Sequence, residues 1–262
     1  MSSTLEPQPE TAAVVIIGDE VLTGKTQDTN SHWLAAELYA LGVSLERVVV
    51  IPDRVEVIAQ TVAELSTRFG VVFTSGGVGP THDDLTYAGV ARAFGVPLQR
   101  SEELVERIRL HYRGPLNEER LKMADIPRPD ELCFTEGMLT PVVRIRNVLM
   151  LPGVPELFRQ LVGAMRERFR LRPVFLGEIF TRQAEGDIAA ALNSVVALHP
   201  LVRIGSYPRL GRSPYRVKIT VESHEEQVAQ AAYDEILSRL EADGVVDQHS
   251  VAVVVPPAGH LE

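Results

Sequence analysis

Short apolar runs and amphipathic helical patterns alternate through the first seventy-five residues of the chain. The apolar runs cover residues 13–17, 45–51 and 71–74, and each has the length of a strand. Between them, Leu34, Leu38 and Leu41 recur at helical spacing, and a second helical pattern spans residues 55–69. Strands that are apolar throughout are typical of parallel sheets covered on both faces. The alternation therefore predicts an α/β fold with a doubly wound, mostly parallel sheet.

The rhythm of the chain changes near Pro173. Before it, further helical patterns cover residues 85–94, 101–112, 117–124 and 155–169, with short strands at 132–135, 142–145 and 148–151. After it, the order strand-helix-strand-strand-helix-strand covers 174–181, 185–198, 202–207, 215–222, 225–240 and 251–255. That order indicates a split βαβ unit. We predict a flexible tail (1–12), a larger domain (13–170) and a smaller α+β domain (171–262).

Composition excludes several classes of protein. The chain has 26 Lys+Arg against 35 Asp+Glu and a net charge of −9, which disfavours nonspecific binding to nucleic acid or anionic membranes. Its one cysteine, Cys133, forms no internal disulfide, and its sequence context predicts a half-buried strand thiol. A signal peptide begins with a basic region, and no basic residue precedes Lys25. No apolar run is long enough for a membrane helix. We expect a cytoplasmic protein.

A glycine-rich loop directly after the third strand carries the strongest chemical signal. The sequence reads Thr74-Ser-Gly-Gly-Val-Gly-Pro-Thr-His-Asp-Asp-Leu-Thr86. Ligands of parallel sheets bind beyond the carboxyl ends of strands, and exposed backbone N–H groups before a helix favour phosphate. The carboxylates of Asp83 and Asp84 would repel a phosphate unless a divalent cation lay between them. The alternative is a tight turn in which one aspartate only caps the next helix.

Three further polar loops follow strands of the same predicted sheet. They contain Gly18 and Glu20 with Asn30 at the next helix start, Asp53, and residues 152–156. Each loop alone is weak evidence, because glycine, proline and aspartate are ordinary turn residues. Together they predict a polyanionic ligand across one sheet edge. The candidate binding residues are Gly18, Glu20, Asn30, Ser75, Gly76, Gly77, Gly79, Pro80, Thr81, Gly153, Pro155 and Glu156, and the candidate catalytic residues and metal ligands are Asp53, Asp83 and Asp84.

These loops also resemble a known family. The strings Gly18-Asp-Glu, Asp28-Thr-Asn30, Ser75-Gly-Gly-Val-Gly-Pro-Thr-His-Asp-Asp84 and Leu151-Pro-Gly-Val-Pro-Glu156 are similar to the molybdopterin-binding (MoaB/Mog) fold. The resemblance is closer to its CinA branch, the competence/damage-inducible proteins, and to the related domain of FAD synthases. Asn117-Glu, Lys122-Met-Ala and Ile204-Gly-Ser-Tyr-Pro208 extend the resemblance over nearly the whole chain.

The resemblance implies hydrolysis of a nucleotide pyrophosphate, such as ADP-ribose or FAD, with a divalent metal (Mg, Mn or Co). By resemblance, Asp84 and Asp53 match aspartates needed for nucleotide chemistry. The small domain is expected to be KH-like, or the split βαβ unit that its element order indicates. A homo-oligomer is expected, with a dimer favoured. The deamidase domain that often follows in CinA proteins is expected to be absent. Two alternatives stay open. The chain is a non-catalytic module that binds molybdopterin or a nucleotide, or it transfers adenylyl groups to molybdopterin. Val78 replaces the threonine of the adenylyltransferases and weakens the second alternative.

Other candidate residues have ordinary explanations. His82 could assist at the metal site, although a solvent-facing loop position explains it, and His32 and Trp33 fit a surface position and a core or interface aromatic. A basic stretch, Arg203 to Lys218, has no acidic residue among its neighbours from His199 to Val221. It is either the outward side of a hairpin or a source of one or two cations for a phosphate or a carboxylate at a subunit interface. RNA binding is not favoured, because no Gly-x-x-Gly loop with basic flanks is present.

Overall fold

The computed structural model describes residues 9–112, 115–241 and 244–255. The chain forms two compact units. Within the described ranges, the first unit contains residues 9–39 and 43–171. The second contains Ala40–Gly42 and the chain from Arg172 onward.

The first unit is built on a six-stranded sheet. The strands of the unit, including two that lie outside this sheet, are β1 (Thr11–Ile17), β2 (Ser44–Ile51), β3 (Val71–Ser75), β4 (Leu98–Arg100), β5 (Asp125–Pro127), β6 (Glu131–Cys133), β7 (Val142–Ile145) and β8 (Val148–Leu151). Its helices are α1 (Asp19–Leu22), α2 (Asn30–Ala40), α3 (Val55–Arg68), α4 (Thr86–Phe94), α5 (Glu102–Tyr112), α6 (Glu118–Lys122) and α7 (Pro155–Met165). The sheet order is β2-β1-β3-β8-β7-β6, with β4 and β5 paired separately. The first four strands of that order are parallel, and β7 and β6 continue antiparallel.

Both faces of this sheet are covered. Its central strands are apolar throughout, and burial of side chains on each face stabilises that arrangement. On one face, Val15 packs in a cluster with Val62 of α3 and Val90 of α4. Val14 points to the other face, since neighbouring strand residues alternate, and it is equally buried. The rings of Trp33 in α2 and Phe158 in α7 meet edge to face at 6.3 Å. The predicted doubly wound, mostly parallel fold is confirmed.

The second unit is a smaller antiparallel sheet with two helices. Its elements are β9 (Phe175–Thr181), α8 (Glu185–Leu198), β10 (Arg203–Pro208), β11 (Val217–Ser223), α9 (Glu226–Arg239) and β12 (Val245–Val253). The strand order is β10-β11-β9-β12, and each neighbouring pair is antiparallel. Ile179, Ile219, Ile188 and Ile236 share its core. This is the predicted split βαβ arrangement.

Two local predictions need correction, and some short elements were not predicted. The last strand runs over Val245–Val253 and not over 251–255, because it is an exposed edge strand whose polar residues, such as Asp247 and His249, hide the apolar pattern. Helix α1 and the β4–β5 pair were not predicted; all three residues of β4 are exposed, so that strand has no buried apolar pattern. Cys133 is buried at the end of β6, deeper than predicted. Across the described ranges, no helix has the length and apolar character needed to cross a membrane.

Candidate functional site

The loops after the four parallel strands lie at one edge of the larger sheet. The Gly18 N–H after β1 donates to the Ile51 carbonyl at the end of β2, at 3.1 Å. The next N–H, of Asp19, donates to Asp53 Oδ2 at 2.8 Å. The loop after β3 is joined in the same way to β8, because the Gly76 N–H donates to the Leu151 carbonyl at 3.1 Å. The structure therefore brings the four predicted loops together.

Two glycines fix the path of the loop after β3. Gly76 and Gly77 have φ angles of +106° and +66°, which side-chain-bearing residues rarely adopt. A Cβ at Gly76 would lie 2.2 Å from the Ile17 carbonyl oxygen, and one at Gly77 would lie 2.4 Å from Thr86 Oγ1. Thr86 closes the loop, since its hydroxyl donates to the Gly76 carbonyl at 2.7 Å and its N–H to the Gly77 carbonyl at 2.9 Å. The positive φ angles, together with the Ile17 carbonyl at Gly76 and the Thr86 hydroxyl at Gly77, therefore favour glycine at both positions.

Asn30 links three elements at the centre of this edge. The residue is 4% exposed, and its Nδ2 donates to Ser75 Oγ and to the Gly153 carbonyl, each at 2.9 Å. The Asp28 carboxylate accepts the Asn30 N–H at 2.9 Å and thereby fixes the start of α2. Because Ser75 Oγ accepts from Asn30, its own hydroxyl proton is free to point elsewhere. Asn30 thus holds α2 against the ends of β3 and β8.

The adjacent aspartates of the glycine-rich loop have different surroundings. Asp84 is half-buried, and its Oδ2 accepts the Thr81 N–H at 2.7 Å and also the Thr81 hydroxyl. A Cβ at Gly79 would lie 2.8 Å from the same oxygen. Asp83 is exposed, and His82 beside it is almost fully exposed. Asp84 therefore organises the loop, and Asp83 faces solvent.

The carboxylates near Asp53 repel its negative charge. Partial burial raises the pKa of the Asp53 carboxyl, the hydrogen bond from the Asp19 N–H opposes this, and the negative charges of Glu20, Asp19 and Asp83 raise it further. A cation bound near Asp53 would relieve the repulsion.

The candidate metal ligands Asp53, Asp83 and Asp84 fit a cation only if a bound phosphate completes its coordination shell. Within residues 9–112, 115–241 and 244–255, no group of three or more His, Cys, Asp or Glu side chains is placed to hold a metal ion. Asp53, Asp83 and Asp84 therefore do not form a preassembled three-carboxylate site. Magnesium in nucleotide sites often takes one or two carboxylates and completes its shell with phosphate oxygens and water. The residues present fit that second arrangement.

The remaining predicted residues lie around the same edge. Gly18 is held close under Glu20, since a Cβ on it would lie 2.5 Å from Glu20 Oε1. Pro80 is exposed beside Thr81, and Pro155 and Glu156 form the first turn of α7. Pro155 begins the helix without losing a hydrogen bond, because the first N–H groups of a helix have no internal partner.

Sequence reasoning missed Lys122 as a site residue. Its ammonium group, at the end of α6, donates to the Thr81 carbonyl of the glycine-rich loop. Forty-one residues separate the two, so no local pattern could reveal the contact. Val78, which replaces a family threonine, is 5% exposed and packs in the core with Tyr87.

The fold and the loops define a family. The family described as "Probable molybdopterin binding domain" matches residues 13–169, which is more than half of the chain, so the chain belongs to it. A second description, "FAD synthase, middle domain", matches residues 173–249. The predicted MoaB/Mog-like domain, with its relation to FAD synthases, is confirmed.

Individual relatives agree with this assignment. The chain is 34% identical to "Probable FAD synthase" of Caenorhabditis briggsae over 86% of its own length and 48% of the relative's. It is 36% identical to a protein of Aeropyrum pernix over 87% and 90% of the two lengths. The crystal structure of CinA from Thermoplasma acidophilum, a protein "with unknown function", aligns with a TM-score of 0.57 at 30% identity, over 61% of this chain and 98% of that one. The predicted resemblance to CinA is therefore confirmed. The chain spans about half the length of the FAD synthase relatives that it matches.

Proposed function

We propose that the chain is a metal-dependent nucleotide pyrophosphatase that hydrolyses an ADP-ribose- or FAD-like substrate. The observation that carries the proposal is a run of backbone N–H groups in the glycine-rich loop that have no hydrogen-bond acceptor. Among the described residues, no protein acceptor takes the backbone N–H groups of Gly77, Val78 and Gly79. Successive free N–H groups in a glycine-rich turn form an anion-binding concavity.

The neighbouring side chains supply the other groups that a diphosphate requires. The hydroxyl of Ser75, set by Asn30, is a further donor beside the loop. Asp53 lies on the acidic side of the edge, where the surrounding carboxylates favour a bound cation. A divalent cation held there would neutralise phosphate charge and lower the pKa of an attacking water. In this proposal the loop orients the diphosphate, and Asp53, with Asp83, holds the cation next to it.

The relatives support the nucleotide part of the proposal. Two of them are named as probable FAD synthases, and FAD contains a pyrophosphate linkage. The same names also favour nucleotidyl transfer. Transfer to a pterin is the weaker form of that alternative, because the Val78 side chain is buried and offers no hydroxyl to a ligand.

The test is a substrate screen with a matched pair of variants. The purified chain is incubated with ADP-ribose or FAD in the presence of Mg²⁺, Mn²⁺ or Co²⁺, and products are identified by mass spectrometry. We expect mononucleotide products, and a strong loss of activity in Asp53→Asn, which keeps an acceptor for the Asp19 N–H but removes the negative charge that would hold the cation. Asp234→Asn, an exposed substitution in α9, is the control and should leave the rate unchanged. Intact substrates with all three cations would refute hydrolysis.

A second candidate is a binding module without turnover. The lack of a preassembled metal-ligand group in the described residues favours it. It predicts that ADP-ribose or FAD raises the Tm of the protein while the ligand is recovered unchanged. The product analysis and the melting curve together separate the two candidates.

A further inference from the structure

Lys122 presents an ammonium group to the glycine-rich loop. It is one of three lysines in the chain, with Lys25 and Lys218. Lys122 is half-buried at the end of α6, and its ammonium donates to the Thr81 carbonyl. An ammonium has three hydrogens to donate, so this bond leaves two of them free. In the described ranges, no carboxylate forms an ion pair with Lys122, whereas Lys218 pairs with Glu178. The charge of Lys122 is therefore available to an anion.

The chain is anchored on both sides of Lys122. Before it, Asn117 caps α6, with its side chain accepting the Arg120 N–H at 3.1 Å. After it, the Asp125 carboxylate at the start of β5 accepts two hydrogen bonds from the Arg100 guanidinium, at 2.7 and 2.8 Å. These contacts, with the bond to the Thr81 carbonyl, hold Lys122 beside the glycine-rich loop.

Thr81 lies close to the backbone N–H groups of the loop that have no protein acceptor. The Asp84 Oδ2 atom that accepts the Thr81 N–H at 2.7 Å would also lie 2.8 Å from a Cβ at Gly79. Gly79 and Thr81 therefore approach the same oxygen, and two residues of chain span at most about 7 Å. The free N–H groups of residues 77–79 and the ammonium of Lys122 thus border the same stretch of the loop.

We propose that Lys122 binds the diphosphate of a nucleotide ligand together with the free N–H groups of the glycine-rich loop. One ammonium hydrogen stays on the Thr81 carbonyl, which positions the group, and another donates to a phosphate oxygen. Charge-assisted hydrogen bonds of this kind are roughly twice as strong as neutral ones. The positive charge also offsets the repulsion between the phosphates and the adjacent carboxylates of Asp83 and Asp84. The inference rests on the proposed function for the diphosphate nature of the ligand.

Binding of a non-hydrolysable diphosphate tests this role. The probe is adenosine 5′-(α,β-methylene)diphosphate with Mg²⁺, and its affinity is measured by isothermal titration calorimetry. We expect Lys122→Gln to bind it about 10- to 100-fold more weakly than the native chain, as loss of a hydrogen bond to a charged group implies. Lys218→Gln, the same substitution in the smaller unit, is the matched control and should bind like the native chain. A native chain that does not bind the probe, or a Lys122→Gln affinity equal to that of the native chain or the control, would overturn the proposal.

The salt dependence of the affinity separates phosphate binding from support of the loop. If Lys122 only held the loop through Thr81, Lys122→Gln would weaken binding by the same factor at low and at high salt. A direct contact between charges is screened by salt, so we expect the difference between the native chain and Lys122→Gln to shrink as ionic strength rises. A difference that salt leaves unchanged would overturn the proposal.

Acetylation of the native chain provides a readout that needs no variant. Acetic anhydride modifies accessible lysine amines, and mass spectrometry of peptides assigns the modification among the three lysines. We expect the bound probe to slow acetylation of Lys122 several-fold and to leave the rate at Lys218 unchanged. Equal rates at Lys122 with and without the probe would overturn the proposal.

None of these measurements depends on turnover. Binding that requires Lys122, without hydrolysis of ADP-ribose or FAD, would refute only the proposed function. Hydrolysis of either substrate, with probe binding that Lys122→Gln leaves unchanged, would refute only the role of Lys122.

Discussion

Replacing Asn30 with alanine tests whether the site edge is held together as described. Asn30 is nearly fully buried and donates both hydrogens of its amide, one to Ser75 and one to the Gly153 carbonyl. Alanine removes both bonds. The buried acceptor that loses its donor is the Ser75 hydroxyl oxygen, since Ser75 is 2% exposed and Gly153 is exposed.

The magnitude follows from these contacts. Two net hydrogen bonds contribute about 1 kcal/mol each, and an acceptor left buried without a partner costs a further ~1–3 kcal/mol. Asn30 Oδ1 is itself buried without a hydrogen-bond partner, so its removal recovers part of that cost. We therefore expect Asn30→Ala to lower the free energy of unfolding by about 2–3 kcal/mol.

The assay is equilibrium unfolding in urea, followed by circular dichroism. Asn117→Ala is the matched control, because Asn117 caps α6 from an exposed position, with its side chain accepting the Arg120 N–H at 3.1 Å. The control should cost only about 1 kcal/mol. If Asn30→Ala changed stability by less than its control, the described role of Asn30 would be refuted.

Three further predictions concern the larger unit. Gly76→Ala should destabilise the fold by at least about 3 kcal/mol, because its Cβ would overlap the Ile17 carbonyl at a positive φ, as urea unfolding will show. Val78→Thr should cost about 1–2 kcal/mol in the same assay, since it buries a hydroxyl in the core. Burial raises the pKa of the Glu37 carboxyl, although its ion pair with Arg166 opposes this. The contribution of Glu37 to the free energy of unfolding is therefore fully present below its unfolded-state pKa. It is lost as the pH rises through the higher folded-state pKa. Glu37→Gln should flatten that pH dependence.

Each of these has a control or a contradicting result. Gly163→Ala, in α7 with open space around the new Cβ, should instead stabilise by about 0.5–1 kcal/mol. Equal effects at Gly76 and Gly163 would contradict the loop geometry. A Val78→Thr protein as stable as the native chain would show that the core accommodates a hydroxyl. An unchanged pH profile in Glu37→Gln would assign the pH dependence to other groups.

Apolar periodicity was sufficient to predict the larger fold. Fully apolar strands such as β1 and β3 can be covered only on both faces, and loops after parallel strands must share one edge. The candidate residues Gly18, Asn30 and Gly76 follow from that reasoning, because turn residues after such strands point to the edge. Their placement together is therefore a consequence of topology.

The contacts that organise the edge could not be predicted in the same way. Asn30 Nδ2 reaches Gly153, 123 residues further along the chain, and Lys122 reaches Thr81, so neither bond leaves a local pattern. The loop pattern alone predicts the same role for Asp83 and Asp84, and only the family resemblance singles out Asp84. The folded loop gives the physical difference between them, because it places Thr81 against Asp84. The prediction for the edge strand β12 was displaced along the chain for a related reason. Most of its residues are exposed, so its sequence lacks the alternating apolar pattern of a buried strand.

The measurement that tests the central claim most directly is hydrolysis of ADP-ribose in ¹⁸O-labelled water with Mn²⁺, analysed by mass spectrometry. The account predicts AMP and ribose 5-phosphate, with one ¹⁸O incorporated into one product of each cleavage, and a strongly reduced yield with Asp53→Asn. Intact ADP-ribose after prolonged incubation with Mg²⁺, Mn²⁺ or Co²⁺ would contradict it, as would products formed equally well by Asp53→Asn.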